Sequence, residues 1–83
     1  MAKSITYTGD ALKDLRRHGN MAERIRKAIK EYAADPQAHA NKIDHMKGMP
    51  GKRMRVGEYR IIFQETGTGI MVIKIGPRGG VYD

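Results

Sequence analysis

Polar and apolar residues alternate at both ends of this chain and recur at helical spacing between them. At residues 4–8, Ile5 and Tyr7 fall on one side and Ser4, Thr6 and Thr8 on the other, the period of a short half-buried strand. Gly9-Asp10 opens a helical stretch in which Ala11, Leu12 and Leu15 form an apolar stripe. Lys13, Asp14, Arg16 and Arg17 lie outside that stripe. Gly19 suits a helix stop and Asn20 a new start, with Glu23 in the position of a capping-box partner. The second helix is the clearest element. Met21, Ile25, Ala28, Ile29, Tyr32 and Ala33 recur at i, i+4, i+7, i+8, i+11 and i+12, which is one apolar face. Arg24, Arg26, Lys27, Lys30 and Glu31 lie mostly on the other, where Lys27 suits an i,i+4 pair with Glu31. Asp35-Pro36 ends this helix, and residues 36–50, with Pro36, Gly48 and Pro50, carry no period and read as a loop.

Two hairpins follow. Gly57-Glu58 fits a two-residue turn with glycine first, as type II′ prefers. That register sets Val56 opposite Tyr59, Arg55 opposite Arg60, and Met54 opposite Ile61. Met54, Val56, Tyr59, Ile61 and Phe63 then share a core face, and Arg53, Arg55, Arg60, Ile62 and Gln64 share the other. The second turn reads as the three-residue loop Gly67-Thr68-Gly69, pairing Phe63 with Ile73 and Ile61 with Ile75. A two-residue turn would set Lys74 opposite Ile61 in the core, because a one-residue slip reverses every side chain. The three-residue loop instead sets Lys74 beside Ile62 on the basic face, and Arg78 keeps that parity if the strand continues. The expected fold is α+β, in the order β-α-α-β-β-β. It is a small, twisted, antiparallel-rich sheet with two N-terminal helices packed on one face.

Eighty-three residues make one small domain, 1–83, without internal repeat. There is no cysteine, so disulfides and thiolate metal sites are excluded. No apolar run approaches the ~20 residues that span a bilayer, and the N-terminus carries no apolar signal core. A cytoplasmic protein is expected, with no membrane contact.

The net charge of +7 and pI of 10.0 favour a polyanionic partner. The hairpin register gathers that charge, because Arg53, Arg55, Arg60, Lys74 and Arg78 share one face. Arg55 opposite Arg60 destabilises the sheet locally, and an anionic ligand would relieve it. Three arginines here favour bidentate phosphate recognition. The plainer reading is a solvated face whose arginine stems cover apolar atoms. Lys52 opens the same basic strand and is counted with Arg53, Arg55 and Lys74 as a phosphate-binding candidate. Tyr82 suits base stacking or proton transfer, or plain packing on a sheet edge. His18, His39 and His45 have no ligand spacing, so no metal is expected, nor any other cofactor. Gly76-Pro77-Arg78-Gly79-Gly80 precedes no helix and is not a nucleotide-binding loop.

Nearly the whole chain resembles a toxin of the RelE/ParE superfamily from bacterial type II toxin–antitoxin systems. The resemblance rests on Ala11-Leu12-Lys13-Asp14-Leu15, Asn41-Lys42-Ile43, Lys47-Gly48-Met49-Pro50 and, most specifically, Arg53-Met54-Arg55-Val56-Gly57-Glu58-Tyr59-Arg60-Ile61-Ile62-Phe63. Val81-Tyr82 after Gly76-Pro77-Arg78 is closer to the RelE branch. That branch implies ribosome-dependent cleavage of mRNA in the A site, with a ribose 2′-oxygen attacking the adjacent phosphate. By the same resemblance, Arg60, Arg78 and Tyr82 are the catalytic candidates, and Arg53 and Arg55 match the basic positions before the turn. Implied partners are an acidic antitoxin, the ribosome and mRNA. The alternative is a ParE-like inhibitor of DNA gyrase without nuclease activity, and a third reading is a basic module with no toxicity.

Overall fold

The N-terminal strand, β1 (Ser4–Tyr7), lies parallel to the last strand of the chain, β5 (Gly69–Pro77), with Ile5 beside Ile70 and Tyr7 beside Val72. A parallel pair needs a crossover, and helices α1 (Gly9–Arg17) and α2 (Gly19–Ala34) open it. Three further strands complete the sheet: β2 (Ile43–His45), β3 (Lys52–Val56) and β4 (Tyr59–Glu65). The spatial order is β1-β5-β4-β3-β2, antiparallel except for the β1–β5 pair. These relationships come from a computed structural model that describes residues 3–45 and 51–79.

The α+β class and the two helices on one sheet face follow the sequence pattern. Ala11 and Leu15 of α1 and Ile25, Ile29, Tyr32 and Ala33 of α2 pack with Met54, Val56, Ile61, Phe63, Ile70, Val72 and Ile75 in one core. Leu12, expected in the α1 stripe, is exposed, and Asp14, expected outside it, is buried. The reason is a backbone bond. β1 ends at Tyr7, and β5 runs on past it with no strand on that edge. Helix α1 satisfies that edge: Thr8 N–H donates to Val72 O, the Thr8 hydroxyl donates to Ile73 O, and Ile75 N–H donates to Asp14 Oδ2, each at 2.9 Å. The same Thr8 oxygen caps α1 by accepting the Ala11 N–H at 3.1 Å.

The helix junction corrects one expectation. Asn20 does not cap α2; His18 joins the two helices and Gly19 is already helical. Nor is 36–50 wholly loop. A 3-10 segment, Gln37–Lys42, interrupted at His39, leads into β2. Strand β2 pairs Ile43 with Met54, Asp44 with Arg53 and His45 with Lys52, and three residues are too few to show a period. The sheet therefore has one more strand than expected.

The β3–β4 register is the expected one, with Gly57 at φ +57° in the turn. The β4–β5 register is the expected one at Ile61–Ile75 and Ile62–Lys74, but not between them and the turn. Glu65 pairs with Ile70, and Thr66 N–H donates to Gly69 O at 2.9 Å, so the turn is the two-residue Gly67-Thr68. Phe63 consequently faces Val72, not Ile73. A bulge then shifts the register between Ile62 and Phe63, after which Ile62 faces Lys74 and Ile61 faces Ile75. The extra residue reverses the alternation of β5, so Ile70, Val72 and Ile75 are all buried while Lys74 sits on the open face.

Candidate nucleic-acid interface

The β3–β4 hairpin builds the centre of the site. Opposed Arg55 and Arg60 do not simply repel. Arg60 Nη1 donates back to Gly57 O at 3.2 Å and Tyr59 O at 3.1 Å. Arg55 donates to Asn41 O and lies 3.6 Å from the Asp44 carboxylate. The two guanidinia thus turn toward different backbone carbonyls. Arg78 joins them because its own N–H donates to Glu58 O at 2.6 Å, folding the end of β5 over the turn.

Together these residues line a groove of about 690 Å³. Its other walls come from α2 and the 3-10 segment, through Arg24, Lys27, Ala28, Glu31, Asn41 and Lys42. Six cations, Arg24, Lys27, Lys42, Arg55, Arg60 and Arg78, meet two carboxylates, Glu31 and Glu58. The expected Lys27–Glu31 pair does not form among the described residues. No histidine lines the groove, and the described residues hold no cluster of three acidic or histidine side chains able to bind a metal. Such a site can bind a phosphodiester and stabilise added negative charge on it.

The remaining candidates divide. Arg53 shares the open face, with Nη2 3.8 Å from Asp44 Oδ2. Lys74 lies on that face across Ile62 from Arg53 and does not line the groove. Between them Ile62 is 4% exposed although it belongs to the face away from the helices. The methylene stems of long cationic neighbours can shelter such a residue, so the plainer reading of the face also has a share in it.

Lys52 is misplaced in the expectation. It shares parity with Met54 and Val56 and faces the helix side. There its ammonium meets Glu65 at 2.8 Å, and Glu65 also takes Lys3 at 3.1 Å and the Tyr32 hydroxyl at 2.6 Å. Burial alone would raise the Glu65 pKa, but hydrogen bonds from Lys52, Tyr32 and Lys3 outweigh it and hold the carboxyl at about 2. Burial and the Glu65 contact push the Tyr32 hydroxyl up. Lys52 is a structural cation. Tyr82 lies outside the described residues.

Sequence reasoning missed Arg24, Lys27, Lys42 and Asp44. The α2 cations looked like an ordinary solvated helix face, and a three-residue strand offers no pattern that would place Asp44.

The sequence profile of the family described as "ParE toxin of type II toxin-antitoxin system, parDE" matches residues 5–82. No curated protein matches the chain. Among solved structures, the intact E. coli RelBE toxin–antitoxin complex contains a chain 24% identical, with TM-score 0.72, covering 92% of this chain and 96% of that one. The RelB–RelE antitoxin–toxin complex from Methanococcus jannaschii contains a chain 27% identical, with TM-score 0.71, over 94% and 95%. The YoeB/ParE toxin from Agrobacterium tumefaciens is 21% identical, with TM-score 0.70, over 90% and 98%.

Proposed function

This chain belongs to the ParE-toxin family of type II toxin–antitoxin systems, and on that premise we propose that it is a ribosome-dependent mRNA endonuclease that blocks translation. The observation that carries the reading is the convergence of Arg55, Arg60 and Arg78 on one groove. In the proposed reaction a ribose 2′-oxygen attacks the neighbouring phosphorus and the P–O5′ bond breaks. The products are a 2′,3′-cyclic phosphate and a 5′-hydroxyl. Arg55 and Arg60 stabilise the charge that builds on the pentavalent phosphorus, and Arg78 stabilises the leaving O5′. Arg53 supports the same strand and Tyr82 orients a base.

Arginine stays protonated, with a pKa above ~12, so its contribution is electrostatic. Among the described residues the groove's carboxylates are Glu31 and Glu58, which stand among six cations. Proton transfer is therefore assigned to the ribosome, which also fixes the scissile bond in line. The dependence on ribosomes follows from that division of labour.

The basic face calls for an acidic antitoxin that covers it, consistent with a net charge of +7. The RelE-like neighbours were themselves solved as toxin–antitoxin complexes. No helix among the described residues is long and apolar enough to cross a membrane, and a cytoplasmic site of action fits a ribosomal target.

The family description names parDE, which favours a second reading, a gyrase inhibitor without nuclease activity. One experiment separates them. Purified protein is incubated with mRNA alone, with mRNA on programmed ribosomes, and with gyrase and relaxed plasmid. Cleavage confined to the ribosome arm, lost by roughly 100-fold or more in Arg60→Ala and Arg78→Ala, is expected. Lost supercoiling with intact mRNA would overturn the nuclease reading.

A further inference from the structure

The groove extends past the three arginines assigned to the reacting phosphate, onto the outer face of α2. Gly57 lies at the junction. It has φ +57°, and a Cβ there would stand 3.3 Å from Arg24 Nη2 and 3.5 Å from its Cζ and Nη1. The guanidinium of Arg24 thus lies within van der Waals reach of the turn, whose positive φ favours glycine. On the other side, the Gly57 carbonyl accepts from Arg60 Nη1 at 3.2 Å. One glycine therefore spaces two arginines from different elements, one belonging to the proposed reaction centre and one to a helix.

Lys27 follows Arg24 by three residues, so both project from the same side of α2. Both are exposed and both line the groove. Neither forms an ion pair among the described residues. Their charge is thus not spent on a carboxylate among the described residues. A volume of about 690 Å³ is in the range that takes a drug-sized molecule and exceeds the needs of one phosphate.

We propose that Arg24 and Lys27 form a second phosphate subsite, which holds the backbone of single-stranded RNA one or more nucleotides from the bond that is cut. The proposal rests on reading the groove as an RNA site. Arg24 and Lys27 are positioning residues: they hold the strand and leave the reacting phosphate to Arg55, Arg60 and Arg78. RNA is favoured over an acidic peptide because the subsite is continuous with those three arginines, and a polynucleotide carries phosphates at regular intervals along that path. Arg24, beside the Gly57 turn, presents a planar fork of donors suited to phosphate oxygens.

The test is equilibrium binding without ribosomes. The probe is a short, fluorescently labelled single-stranded RNA carrying 2′-O-methyl groups, which cannot be cut. Affinity is measured over a range of salt concentrations for the unaltered protein, for Arg24→Ala/Lys27→Ala, and for Lys13→Ala/Arg17→Ala. The last pair removes the same charge from exposed positions on α1 outside the groove. Each phosphate contact to a single strand contributes about 0.7 to the slope of log affinity against log salt, so loss of both cations should flatten it by about 1.4. The α1 control should leave the slope unchanged. All four positions are exposed, and alanine suits a helix, so folding is retained.

An equal change in both variants overturns the subsite. So does a loss confined to polyglutamate, used as an acidic-peptide probe, with RNA binding intact. Ribosome-dependent cleavage by the unaltered protein reports separately on the proposed function. Cleavage with an unchanged slope defeats the subsite alone. Absence of cleavage with a flattened slope defeats the nuclease reading and leaves the RNA subsite.

Discussion

The Tyr32 hydroxyl of α2 donates to Glu65 Oε1 of β4 at 2.6 Å, and the same carboxylate receives Lys52 and Lys3. One acidic side chain thereby ties the end of a helix, two strands and the N-terminal segment together. The Tyr32 ring meanwhile meets Phe63 edge-on, with centroids 5.5 Å apart.

Because the Glu65 pKa falls from 4.5 to about 2 on folding, the carboxyl stabilises the fold when ionised. That contribution is complete above about pH 5 and fades as pH drops through 4.5 toward about 2. Glu65→Gln should cost about 1–2 kcal/mol at neutral pH, since it leaves Lys3 and Lys52 without their partner. Urea unfolding at several pH values checks this: the gap between variant and parent should shrink on acidification.

Lys52→Met should lower stability by about 0.5–1 kcal/mol through the same cluster. Its affinity for single-stranded RNA should stay within about twofold of the parent once net charge is matched, because Lys52 faces the helices. Arg55→Ala should do the reverse, weakening RNA binding with little effect on the urea midpoint. Paired binding and unfolding measurements on the two variants distinguish the faces.

Asp14 is the one buried charged residue among those described, and its acceptor meets the Ile75 N–H at 2.9 Å. Asp14→Ala should cost about 1–3 kcal/mol by leaving that amide buried and unsatisfied. Asp14→Asn keeps an acceptor of the same shape and should lose less. Amide exchange at Ile75, compared with Ile61 deep in the core, shows whether the loss is local to the β5 edge.

Asp44 stands 3.8 Å from Arg53 and 3.6 Å from Arg55, so an internal carboxylate lies beside the arginines proposed to take a phosphate. Asp44→Asn should strengthen RNA binding about threefold at low salt, a gain that disappears as salt screens the pair. Fluorescence anisotropy against ionic strength measures it. Weaker binding would mean that Asp44 aligns the arginines instead of competing for them.

Much of this architecture was legible along the chain. The α2 stripe from Met21 to Ala33 marked a helix, and Gly57-Glu58 set the β3–β4 pairing residue by residue. Both signals are local: a helix face repeats within one turn, and a tight hairpin fixes its own register. The second hairpin shows where locality ends. Its turn is the two-residue one that alternation argued against, and the bulge before Lys74 restores the alternation. A bulge of one residue leaves no mark in a sequence of alternating isoleucines. Its carbonyl and amide partners, Thr8 and Asp14, are more than sixty residues away along the chain.

The amino-acid sequence by itself determined the family, the two helices, the central hairpin and the alternation that brings Arg53, Arg55 and Arg60 to one face. These depend on neighbours a few residues apart, where steric and periodic rules act directly. Tertiary structure alone decided that Lys52 serves Glu65, that Asp44 stands beside two arginines, and that Arg24 rests on Gly57. Charge carries no address along a chain. Whether a cation holds the fold or faces a ligand depends on which carboxylate or carbonyl the packed elements bring within a few ångströms.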